Sequence, residues 1–179
     1  MLRPSANRAA SVICLILASV AALALTSSAL AAALFGAGDP TAAQVAQAIL
    51  SAGAKVTVDT LYQSGKWDGV VDRISKGGSD WIAVAPKLAR GVDAGPAEDL
   101  GIALATALPR NAKGVLGVID PNNGPVIGVG QVCSMPFIEE TPRHLATYRR
   151  KSLAALAAVR DPALSAMKSA CLAALKAAP

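Results

Sequence analysis

The sequence predicts a mainly α fold: a compact multi-helix domain of short packed helices, closed by one disulfide. Three observations carry that reading. Apolar residues recur at three- and four-residue spacing in one segment after another from Val45 to Leu175, the period of a helix with one buried face. A capping residue followed by proline stands at Asp39-Pro40, Thr141-Pro142 and Asp161-Pro162, the pattern of a helix start. Glycine or proline stands where the periodic runs stop, at Gly53, Gly65, Gly77-Gly78 and Pro109.

The N-terminus is read apart from the fold. Arg3 and Arg8 precede an almost wholly apolar run from Ala9 to Leu25, and Ala29-Leu30-Ala31 has the small-x-small form. This is the layout of a secretory signal peptide over residues 1–31, cleaved after Ala31. A retained membrane anchor is the alternative, because no charge falls between Arg8 and Asp39 and the stretch is long enough to span a bilayer. The placement of the small residues favours cleavage. Cys14 follows Ile13, where a lipoprotein site needs a small residue, so lipidation is not expected. The remaining 148 residues make about one domain, able to bury roughly two thirds of the unfolded surface. Residues 32–38 are small and expected to be disordered, and 39–179 form the helical domain.

Residues 1–31 hold two of the 17 basic side chains and none of the 12 acidic ones, so the rest of the chain carries +3. The longest basic run is Arg149-Arg150-Lys151. Nucleic-acid binding needs a more clustered basic face, so no nucleic-acid partner is expected. Cys133, His144 and Cys171 match no zinc-ligand spacing, and neither a metal nor a cofactor is expected.

Each element follows from local signals. Asp39-Pro40 opens the first helix, with Val45 and Ile49 as its stripe. Residues 54–64 fit two patterns: Lys55 to Thr60 alternates like a strand, while Val58, Leu61 and Tyr62 fit a helix. The flanking helices favour helix. Trp67, Val70, Val71 and Ile74 make the next helix. Trp81, Val84, Ala85 and Leu88 make the one after, capped by Ser79 or Asp80 and either kinked at Pro86 or starting later. These two segments resemble each other fourteen residues apart. Ordinary two-turn helices account for the likeness, with an α-solenoid-like stacking as the alternative. Leu100, Leu104 and Leu108, flanked by alanines, form a helix ended by Pro109, and Asn111 caps a short one through Val115 and Leu116. Residues 120–125 are a turn cluster, and 126–132 read as extended. Thr141-Pro142 opens a long helix lined by Leu145, Tyr148, Leu153, Leu156 and Val159, and Asp161-Pro162 opens the last. Whether the alanine-lined faces pair within the chain or with another chain, and so the oligomeric state, is not set by the sequence.

Two cysteines remain after cleavage. An even count in an oxidising compartment argues for a disulfide, with two buried thiols as the alternative. Leu164, Met167, Cys171 and Leu175 fall on one side of the last helix, so Cys171 lies on its buried face. There it can meet Cys133, which begins the apolar segment Cys133-Ser134-Met135-Pro136-Phe137-Ile138. The bond would close a loop of about 38 residues, worth roughly 3–4 kcal/mol by chain entropy.

Candidates for chemistry are few. His144 is the only histidine, and Glu139 and Glu140 precede it. An acid–base pair is conceivable, but negative charge just before a helix N-terminus is favourable without any catalytic role. No serine sits in a nucleophile elbow, and no catalytic residue is assigned. Asp68 and Asp72 lie one turn apart beside Arg73 and Lys76, as a solvated helix face does. Of six aromatic residues, Trp67 and Trp81 are expected to be large core pieces. The competing expectation is a groove for a ligand or partner lined by Trp67, Trp81 and Phe137.

Several motifs carry a resemblance over about two thirds of the chain. They are Gly65-Lys66-Trp67-Asp68, Asp72-Arg73-Ile74, Trp81 with Ala85 and Leu88, Asp93-Ala94-Gly95 with Asp99-Leu100, Ala107-Leu108-Pro109-Arg110-Asn111, and Val132-Cys133 with Pro136-Phe137-Ile138-Glu139. With them the chain resembles a group of small exported proteobacterial proteins. The resemblance implies export and a helical build, and no catalytic residues.

The expected function is therefore a non-enzymatic binding or interaction protein of the bacterial cell envelope, periplasmic or secreted. It would meet a protein partner in the periplasm and keep no stable membrane anchor after cleavage. Two alternatives are a periplasmic inhibitor or immunity-type protein, and a small envelope hydrolase using His144 with Glu139 or Glu140.

Overall fold

The computed structural model describes residues 33–36, 38–137 and 140–178. The signal-peptide reading of residues 1–31, and Glu139, lie outside them. Helix follows helix: α1 (Ala42–Ala52), α2 (Ala54–Gln63), α3 (Trp67–Ser75), α4 (Ser79–Leu88), α5 (Ala94–Ala107), α6 (Ala112–Leu116), α7 (Val129–Val132), α8 (Pro142–Ala158) and α9 (Ser165–Ala177), with a 3₁₀ turn at Pro162–Leu164 before α9. Among the described residues there is no strand, only a single bridge between Asp120 and Gly128. The mainly α expectation holds.

The N-terminal end differs from expectation twice. Residues 33–35 form a helical turn instead of disorder, because the Phe35 ring enters the core and is 3% exposed. Helix α1 is capped by Thr41, not Asp39. The Thr41 hydroxyl accepts from the Gln44 N–H at 3.2 Å, and the Gln44 side chain accepts from the Thr41 N–H at 2.8 Å. This reciprocal box satisfies two orphan donors where Asp39 would satisfy one. Asp39 instead pairs with Arg73 on α3 at 2.9 Å.

Helix α2 forms despite its β-branched residues, as the helical reading expects. Thr57 is fully buried, and its hydroxyl donates to the Gly53 carbonyl at 2.8 Å, which removes the cost of burying it. Thr57, Val58 and Leu61 face inward, and Tyr62, expected on that stripe, is 61% exposed. The loop after α4 touches the start of α2 at Gly91, where an added Cβ would overlap the Ala54 backbone.

Helix α5 is the hub. It packs along α3 and also meets α6 and α7. Leu100, Leu104 and Leu108 are fully buried, as their spacing predicts, with Ala103, Ala105 and Ala107 between them. The small alanines let the neighbouring helices come close. Helix α4 begins at Ser79, with Gly78 as its cap, and continues through Pro86. Ile82 takes the buried place expected of Trp81. Asn111 caps α6 by accepting from the Gly114 N–H at 3.0 Å, as expected.

Residues 126–132 are not extended. Gly128 caps the short α7, whose fold-back puts the Gly128 N–H on the Gly124 carbonyl at 3.0 Å and the Gly130 N–H on the Asn123 side chain at 3.0 Å. A Cβ at Gly128 would collide with Asn123 and Gly124, so the glycines that weaken a strand are what permit this turn. No neighbouring strand exists for the segment to pair with among the described residues.

Thr141 caps α8, and Asp161 caps the 3₁₀ turn before α9. Asp161 also pairs with Lys113 at 3.2 Å, and the ammonium beside it holds its carboxyl below the usual range. Cys133 and Cys171 form the expected disulfide, with Cα atoms 5.2 Å apart and both residues fully buried. It joins α9 to the end of α7, and through α7 to α5. One contiguous core runs from Phe35 to Leu175. Among the described residues no helix is long and apolar enough to cross a membrane.

Candidate functional site

One stripe of α5 lies outside the core, exposed at Ala94 and Glu98 and half-buried at Ile102 and Thr106. Ala94, Glu98, Ile102 and Thr106 follow one another every four residues, out of phase with the buried leucines, and Arg110 continues the row past the helix end. Side chains one helical turn apart share a face, so this stripe is the floor of a groove. The first half of α8 forms one wall, and the segment after Cys133 forms the other.

That segment is positioned by its backbone. Met135 adopts a left-handed conformation, φ 58°, and the Phe137 N–H donates back to the Met135 carbonyl at 2.8 Å. The two-residue hydrogen bond across Pro136 is a γ-turn, and the fixed ring of proline suits it. The turn sets Phe137 edge-on against Tyr148 of α8, ring centroids 4.8 Å apart at 80°, a favourable aromatic geometry.

Two cavities occupy the groove. One, of about 600 Å³, lies between α5 and α8 over Phe137, Tyr148, Leu145 and Pro109, with Arg110, Lys151 and His144 at its rim. The other, of about 500 Å³, continues toward the start of α5 over Ala97, Pro125, Met135 and Pro136. Ile102 and Phe137 line both, so the cavities abut.

The three aromatic residues expected to line a groove do not come together. Phe137 is in the groove. Trp67 is 1% exposed inside the core, and its indole N–H donates to Asp99 at 2.9 Å. Trp81 is partly exposed on α4 under the Arg73 guanidinium, 5.4 Å from its ring centre, a cation–π contact. Sequence reasoning missed Ile102, Thr106, Arg110 and Lys151. The available signal was Ile102, an apolar residue off the leucine stripe with a basic residue two turns on.

No known protein family, characterised protein or solved structure matches the chain.

Polar side chains stand among the apolar ones that line the groove. His144 and Glu140 do pair, 2.9 Å apart, but their side chains are 70% and 48% exposed, one turn apart at the start of α8. The Thr106 hydroxyl donates to the Ile102 carbonyl and the Tyr148 hydroxyl to the Ala105 carbonyl. Neither hydroxyl is hydrogen-bonded to the histidine, whose Nδ1 meets Glu140. Among the described residues no group of three His, Cys, Asp or Glu side chains converges to hold a metal.

Burial pushes the Tyr148 phenol up to about 12, against a smaller opposing influence of the Ser152 hydroxyl one turn on. That hydroxyl is buried, and the desolvation of the ring outweighs it. A phenol held above its unfolded value near 10 favours the neutral, folded form. Its stabilisation is complete below pH 10 and is lost as pH rises toward 12. In a Tyr62→Phe background, phenolate absorbance of the folded protein should rise with a midpoint near pH 12. A midpoint near 10 would mean that water reaches the ring.

Proposed function

We propose that the chain is an exported, non-enzymatic binding protein of the cell envelope, and that the groove along α5 is its binding surface. The observation that carries the reading is the groove itself. It has an apolar lining of Ile102, Phe137, Leu145 and Tyr148 under a rim with basic groups. Binding sites have this composition, apolar over most of the surface with a few polar groups that orient the ligand. Export is supported by the signal-peptide pattern of residues 1–31 and by a disulfide, which persists in oxidising compartments. Among the described residues no hydroxyl or thiol is hydrogen-bonded to the exposed His144–Glu140 pair.

A photo-crosslinking residue at Thr106 or Thr147, in protein exported by its own host, should give a discrete adduct. The same residue at Ala157, on the far side of α8, should give none. Intact mass before and after reduction and alkylation gives the compartment in the same preparation. A chain beginning at Ala32 that takes up label only after reduction is expected. Adducts at every position or at none would remove the groove as the binding surface, and a full-length chain with free thiols would remove export.

A further inference from the structure

We propose that the groove holds a monomeric long-chain carboxylate, a free fatty acid. Its headgroup would lie between Arg110 and Lys151, and its chain along α5 past Ile102 and Phe137 to Met135. The inference rests on the binding-protein reading above and specifies its ligand.

Shape is the first argument. The two cavities abut at Ile102 and Phe137 and form a single trough. From Ala94 to Thr106 the floor is about 18 Å long at 1.5 Å per residue, the span of an extended palmitate chain, and Arg110 lies beyond that end. The trough is continuous across Ile102 and Phe137, as a single chain requires.

Charge is the second argument. The trough is polarised along its length. Of the basic residues of α8, Lys151 lines the trough, and no Asp or Glu occurs from Pro142 to Ala158. Arg110 donates through one nitrogen to the Thr106 carbonyl at 2.8 Å, and among the described residues no carboxylate makes an ion pair with Arg110 or Lys151. Glu140, the acid at this end, is engaged by His144. The opposite end is lined by Ala97, Pro125, Met135 and Pro136, with Glu98 of the floor stripe beside them. An anion is attracted to one end and repelled from the other, which fixes the ligand's direction. A guanidinium and an ammonium flanking one carboxylate give charge-assisted hydrogen bonds.

The test uses the mature protein and palmitate below its aggregation concentration, followed by calorimetry and by methyl NMR of Ile102 and Leu145. Saturable one-to-one binding is expected. Octanoate should bind at least tenfold more weakly, because fewer methylenes enter the trough. The double variant Arg110→Glu/Lys151→Glu should lose at least tenfold, and hexadecylamine should not bind. Ala97→Phe fills the far cavity and should weaken palmitate while leaving octanoate unchanged. If the charge-reversed protein fails to fold, the chain-length series and Ala97→Phe still decide. No saturable binding, equal binding of hexadecylamine, or no chain-length dependence would overturn the proposal. So would binding to phosphatidylglycerol vesicles without binding of the monomer, which would make the site a membrane contact. A protein-sized crosslink at Thr106 with no palmitate binding would overturn the fatty-acid inference and leave the binding-protein reading standing.

Discussion

Replacing Cys133 and Cys171 together by alanine should lower the free energy of unfolding by about 4 kcal/mol, the chain-entropy value for a loop of this length. Against the 5–15 kcal/mol typical of a domain, that is a large share. The C-terminal helices depend on it unusually. Helix α8 buries only Ser152 and Leu156, and α9 only Cys171 and Leu175. One of the two anchors of α9 is thus the disulfide itself, through which it is tied to α7 and α5. Urea unfolding of the variant and the parent should show the lower midpoint. Hydrogen exchange should rise first in α9, the element with least other burial to hold it. A loss under about 1 kcal/mol, with exchange in α9 unchanged, would show that packing alone holds the C-terminal pair and that the loop-closure argument is wrong here.

That dependence was legible from the sequence because it rests on periodicity. Cys171 falls on the same side as Leu175, and the compartment argument pairs it with Cys133. The helices were legible for the same reason. Leu100, Leu104 and Leu108 fix the inner face of α5 whatever surrounds it, and Thr141-Pro142 and Asn111 mark helix starts with local hydrogen bonds. What was not legible needed knowledge of neighbours. Residues 126–132 read as extended, but a strand requires a partner, and Gly128 instead finds room against Asn123 and Gly124. Thr41 displaced Asp39 as a cap because Gln44 answers it, a two-sided bond that one-sided rules undervalue. The groove was half visible. Phe137 is a candidate in the sequence, but Ile102 comes from α5, Arg110 from the turn after it and Lys151 from α8, far apart in the chain. Their meeting depends on how α8 crosses α5 and on a left-handed Met135. Neither is written in any local pattern.

The two tryptophans offer the second large test, because the sequence treats them alike and the structure does not. Trp67→Ala should cost about 3–5 kcal/mol, as truncation of a fully buried aromatic does. Trp67 lies between α3 and α5, the hub of the fold, and is 1% exposed. Trp81→Ala should cost about 1 kcal/mol, for the loss of a half-buried ring and its contact with Arg73. Trp67→Phe separates the two contributions at the buried site. It keeps most of the ring and removes the N–H that meets Asp99 at 2.9 Å. Asp99 is only partly buried, so water can replace that donor and the cost should be about 1–2 kcal/mol. Denaturant midpoints at constant slope give all three values. Equal costs for the two alanine variants would mean that α3 and α4 occupy equivalent places, as the fourteen-residue likeness suggests. The expected difference follows from Ile82, which takes the inward position on α4 that Trp67 takes on α3 and so turns Trp81 toward Arg73 and the surface.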